Sequence, residues 1–98
     1  MKAAIVHAAG QNPTLGDFTP PMAGPDEWLV QVKACALSPL TRARASGTHY
    51  SSSGQYPFVA GVDGTGLLAD GRRAYFVLPR APYGAMAEQS VAERSHCL

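Results

Sequence analysis

Few side chains in these 98 residues are of a kind that carries out chemistry, and their spacing excludes more than it offers. Ser38, His49 and Asp63 are the residue types of a nucleophile–base–acid triad. Triads are made by geometry, however, and no Gly-x-Ser-x-Gly elbow surrounds the serine. His7, His49 and His96 are scattered without the spacing of metal ligands, and Cys35 and Cys97 stand alone with no Cys-x-x-Cys. The densest signal is Tyr56-Pro57-Phe58-Val59-Ala60-Gly61-Val62-Asp63-Gly64-Thr65-Gly66-Leu67-Leu68, three glycines around one carboxylate in an apolar run. Glycines so close together in a strand mean that the backbone bends sharply or is approached closely. Asp63 could act there as a base. Its place among glycines favours a structural role, accepting backbone N–H groups and holding the corner. Gly61-x-x-Gly64-x-Gly66 is not the dinucleotide fingerprint, which needs G-x-G-x-x-G between a strand and a helix.

The elements that must position this corner can be read along the chain. Residues 2–8 are a short apolar run with a β-branched centre, which predicts a strand buried on both faces. Gly10-Gln11-Asn12-Pro13 is turn chemistry, and residues 14–18 alternate weakly enough to pair back as an edge strand. Three prolines within residues 19–26 exclude regular structure there. Residues 27–37 are the best strand of the chain: Trp28, Val30, Val32 and Ala34 should face the core, with Leu29, Gln31, Lys33 and Cys35 opposite. Ser38 followed by Pro39 suits a helix start, capped by the hydroxyl, with two turns over residues 40–46 ended by Gly47. The serine-rich residues 48–55 read as a loop. Beyond the glycine corner, two apolar runs joined through Asp70-Gly71 are a strong hairpin signal. Residues 79–84 form another loop and residues 85–91 a last strand. Six or so short strands and one short helix predict a small barrel or sandwich.

Composition limits the function classes. One domain is the most that 98 residues supply, and with 46% hydrophobic and 15% charged residues the chain is globular rather than disordered. A formal charge of +1 gives no electrostatic footprint for nucleic acid or anionic lipid. The N-terminal apolar stretch contains His7 and ends at Gly10, which suits a first strand better than a signal peptide. No run approaches the ~20 apolar residues of a membrane span. Two isolated thiols make no disulfide framework, so the expectation is a reducing, cytoplasmic setting.

Several motifs in order resemble one superfamily. Met1-Lys2-Ala3, Val30-Gln31-Val32-Lys33-Ala34-Cys35-Ala36-Leu37-Ser38-Pro39, Ser46-Gly47, the glycine corner, Gly71-Arg72-Arg73-Ala74-Tyr75 and Tyr83-Gly84-Ala85-Met86-Ala87-Glu88 are together similar to the medium-chain dehydrogenase/reductases. The likeness is to that superfamily's N-terminal half. It implies a mainly β fold, a GroES-like partial β-barrel with one short helix, spanning residues 1–98 as one domain. The cofactor-binding Rossmann domain is absent, so the chain looks like a piece of a longer enzyme. The hairpin through Asp70-Gly71 is shorter than the family's usual segment there. Zinc alcohol dehydrogenases of the superfamily carry Cys-His after the long strand and Gly-His-Glu at the corner. Here Ser38-Pro39 and Gly61-Val62-Asp63 stand in those places, and neither Ser38 nor Val62 replaces a metal ligand well.

The resemblance therefore points to the zinc-independent, quinone oxidoreductase-like branch. It implies NADPH as cofactor of the full-length enzyme, no zinc, and reduction of quinones or enone-type carbonyl compounds. Ser38 would lie beside the nicotinamide and the substrate, and Tyr50 and Val62 would line the substrate site; no residue of this half is expected to be catalytic. The implied partners are a small-molecule substrate and the missing Rossmann domain, and a homodimer is compatible; neither nucleic acid nor membrane is implied. Read from the residues alone, Ser38 is first a helix cap, a role compatible with the functional one, and a loop tyrosine such as Tyr50 is more often packing. The rival from another class is a stand-alone GroES-like binding or assembly module, as in co-chaperonins. Such a module should carry an apolar anchor in its mobile loop, where residues 48–55 offer mostly serines.

Overall fold

The computed structural model describes residues 1–37 and 56–98. Among them the chain forms seven strands in two antiparallel sheets, with one 3-10 turn at Arg94–His96. In the first sheet β1 (Lys2–Val6) lies between β2 (Thr14–Asp17) and β4 (Phe58–Val59). Having a neighbour on each side, β1 buries Ala3, Ile5 and Val6, as its apolar run requires. The second sheet has the order β6 (Arg73–Val77), β5 (Asp63–Leu68), β3 (Glu27–Cys35), β7 (Gln89–Glu93). The architecture is thus mainly β, as read from the sequence. The short helix and the loop expected over 40–46 and 48–55 lie outside the described residues.

One segment joins the sheets. Ala4 N–H donates to the Met86 carbonyl (2.8 Å) and Glu88 N–H to the Lys2 carbonyl (3.1 Å), so residues 86–88 belong to the first sheet. Directly after them, β7 pairs with β3 of the second. The single strand expected over residues 85–91 is therefore divided, and strand structure begins only at Gln89. No barrel closes among the described residues; the sheets are linked rather than sealed.

The larger core lies on one face of the second sheet, where Val30, Leu68, Ala74, Phe76, Ala85 and Ala92 cluster. Trp28 and Val32 pack against it as their alternation predicts, but Ala34 and Cys35 do not follow the pattern. Val32 lies opposite Gly66 and Ala34 opposite Thr65, so Lys33 is an extra residue, a β-bulge. An inserted residue inverts the side-chain alternation beyond it. Cys35 consequently packs on the core, and Ala34 is exposed.

The hairpin through Asp70-Gly71 forms as expected. Gly71 supplies a φ of +86°, its N–H donates to the Leu68 carbonyl (2.9 Å), and Asp70 accepts from the Arg72 amide (3.1 Å) and guanidinium (2.6 Å).

Candidate functional site

Three strand ends meet at the glycine corner. Where β3 runs out, Ala36 N–H donates to the Asp63 carbonyl at 3.1 Å. Asp63 begins β5 and stands opposite Val77, the last residue of β6. One residue further, Leu78 N–H donates to the Val62 carbonyl at 2.8 Å. The two motifs that the sequence keeps far apart, residues 36–37 and 61–63, are thereby locked side by side.

Each glycine has its own reason. Gly61 turns the corner at φ +108°, and a β-carbon there would lie 2.8 Å from the amide nitrogens of both Ala85 and Met86. Gly64 and Gly66 sit inside β5 under the carbonyls of Ala34 and Gln31 on β3, which leave no room for a β-carbon. Both readings of the cluster, bend and close approach, are met at different positions. Gly64 and Gly66 are committed to a sheet, so they form no pyrophosphate cradle at a helix start. These two glycines do not fit the phosphates of a dinucleotide.

The Asp63 carboxylate accepts the Tyr75 hydroxyl at 2.8 Å, from the neighbouring strand β6; among the described residues no backbone amide donates to it. That bond, helped by some desolvation and by the negative charge, holds the Tyr75 phenol above its usual range. The Cys35 thiol is also pushed up, first by burial and then by the Asp63 charge. A thiol so placed is a poor nucleophile at neutral pH. Among the described residues no three His, Cys, Asp or Glu side chains lie together as a metal site.

Of the residues singled out in the sequence, Val62 is buried, 4% exposed, with its carbonyl held by Leu78. Ser38 and Tyr50 lie outside the described residues; the chain leaves toward Ser38 through Leu37, which is exposed beside the corner. Sequence reasoning missed Leu78. It is half-exposed and has φ +53°, the left-handed region that a leucine rarely enters. Strain of this kind persists where the surroundings enforce it, and it gathers at ligand clamps and active sites. Only the proline that follows marked the position, and proline disfavours α geometry before it without pointing to a left-handed leucine. At the corner Leu37 and Leu78 are exposed, Val62 is buried, and Asp63 is engaged by a phenol. Among the described residues the corner offers apolar surface and no evident acid–base pair.

No protein-family model matches the sequence, and no curated protein does. Solved structures do match. The quinone oxidoreductase from Thermus thermophilus, also solved in complex with NADPH, superposes with a TM-score of 0.85 at 26% identity over 100% of this chain and 31% of that one. The quinone oxidoreductase from Coxiella burnetii matches with a TM-score of 0.85 at 19% identity, covering 100% of this chain and 36% of that one. That of Pseudomonas syringae pv. Tomato gives 0.80 at 22%, over 100% and 33%. The chain spans about a third of the length of these proteins. The resemblance read from the sequence is met in the fold, which matches that of quinone oxidoreductases over about a third of their length, and a GroES-like fold is consistent with these neighbours.

Proposed function

We propose that a chain with this fold is the substrate-side domain of a zinc-independent, NADPH-dependent oxidoreductase that reduces quinones or enone-type carbonyl compounds. The observation that carries the reading is the superposition of the whole chain on quinone oxidoreductases, one of them solved with NADPH. The nicotinamide supplies the hydride, and a Rossmann domain outside this chain holds the cofactor. This domain binds, orients and excludes water. In this reading Ser38 offers its hydroxyl or backbone to the nicotinamide or the substrate carbonyl, and Tyr50 is a donor to that carbonyl. Val62 keeps the floor apolar where zinc-dependent relatives carry an imidazole, which supports a reaction without zinc. Leu37 and Leu78 supply the apolar rim against which a flat, electron-poor ring packs. No acid or base of this half takes part in the hydride step, so the 98 residues alone are expected to be inactive.

Reading the coding DNA past Leu98 tests this first. A continuation of roughly 200 residues that opens strand–G-x-G-x-x-G–helix is expected. The protein it encodes should oxidise NADPH in the presence of a quinone, and Leu78→Ala in it should raise KM for a bulky quinone about tenfold. A stop codon directly after Leu98, or a continuation without that motif, would overturn the proposal.

A further inference from the structure

A concave feature lies on the outer face of the larger sheet, turned away from its core. It is an open groove of about 530 Å³ whose sides are Lys33, Thr65, Leu67, Arg73, Tyr75 and Leu98. Its volume falls in the range of small-molecule sites, roughly 300–1,000 Å³. Apolar material comes from Leu67, the Tyr75 ring and the exposed Leu98.

What singles the groove out is charge. Among the described residues Lys2 pairs with Asp17, Arg72 with Asp70 and Arg80 with Glu27, while Arg94 lies 4.2 Å over the Trp28 ring. The two remaining described cations, Lys33 and Arg73, have neither a carboxylate nor an aromatic partner, and both line this groove. Lys33 is there because it is the bulge residue of β3, and bulges re-aim side chains. Arg73 stands opposite Leu67 with β5 between it and β3, so the two cations flank the groove at two strand spacings, about 10 Å. Asp63, one negative group near it, is engaged by the Tyr75 hydroxyl.

We propose that this groove binds a small amphipathic carboxylate, its head between Lys33 and Arg73 and its aliphatic or aromatic body along Leu67, Tyr75 and Leu98. Two unpaired cations over an apolar floor complement that chemistry and no neutral or cationic one. The groove shares Thr65 and Leu67 with the glycine-rich run but opens on the outer face of the sheet.

The 98-residue chain, labelled with 15N, should be titrated with octanoate and, separately, with the neutral analogue octan-1-ol. Octanoate is expected to shift the amides of Thr65, Leu67 and Tyr75 in one saturable process. Lys33→Gln and Arg73→Gln should each weaken it about fivefold, the most an exposed charge pair supplies, while Lys33→Arg retains it. Both positions are exposed, so the folded spectrum should persist in the variants. Octanol shifting the same amides at equal concentration, unchanged affinity in the Lys33→Gln/Arg73→Gln double variant, or shifts confined to other residues would each overturn the proposal.

Discussion

Gly66→Ala against Gly71→Ala is the sharpest test of why the central strand is built from glycine. A β-carbon on Gly66 would lie 2.8 Å from Val30 Cγ1 and nearer still to the Gln31 carbonyl oxygen, where ordinary contact begins at 3.4 Å. Neither neighbour can give way cheaply. The carbonyl belongs to β3, which is held on its far side by five paired residues of β7, and Val30 is fully buried in the core. Relief requires β3 and β5 to separate about Gly66, which breaks the sheet at its centre. Losses of this kind reach about 4 kcal/mol or more, against a total near 5–15 kcal/mol for a domain of this size. Gly71 presents the opposite case. Its φ of +86° strains any other residue, but nothing lies within 4 Å of the added carbon. The cost there is the left-handed backbone alone, about 1 kcal/mol. In urea, with a slope of about 1 kcal/mol/M, Gly71→Ala should lower the unfolding midpoint by about 1 M. Gly66→Ala should lower it by about 4 M or leave no folded baseline. Equal midpoints for the two variants, or a smaller loss in Gly66→Ala, would refute the argument that carbonyl approach dictates the glycine.

Ser90 is fully buried on β7, and its Oγ has no hydrogen-bond partner among the described residues. Burying an unpaired hydroxyl costs about 1–3 kcal/mol, so Ser90→Ala should stabilise the domain by about 1 kcal/mol, read as a raised Tm. Glu27 accepts the Gly24 amide (2.8 Å) and the Arg80 guanidinium (2.8 Å), and the amide bond above all holds its carboxyl below the usual 4.5. A depressed folded pKa contributes stability that is complete above the unfolded value and is lost as pH falls through the folded one. Glu27→Gln should therefore flatten the decline in stability below about pH 4.5, measured by urea unfolding at several pH values. Asp63→Asn should bring the Tyr75 phenol down toward 10, since the carboxylate bond that raised it is gone. An ultraviolet titration of the tyrosines reads this directly.

The parts of the molecule legible in the sequence are those decided by neighbours along the chain. The Asp70-Gly71 hairpin follows from a residue that tolerates positive φ between two apolar runs, and the proline-rich residues 19–26 cannot join a sheet. The long strand at Trp28, Val30 and Val32 was equally plain from its alternation, and so was the order of motifs that carries the family resemblance. Tertiary structure decided the rest. The Lys33 bulge follows from matching β3 to β5, and no property of Lys33 itself announces it; yet it exchanges Ala34 for Cys35 in the core and aims a cation outward. Asp63 found its partner in Tyr75, twelve residues away and on the neighbouring strand, because the hairpin register brings that hydroxyl within 2.8 Å. The strained Leu78 arises only where β6 ends against the Val62 carbonyl. Local sequence sets what each segment can become. Register and close approach between segments distant in the chain set which side chains meet, and no single segment contains that information.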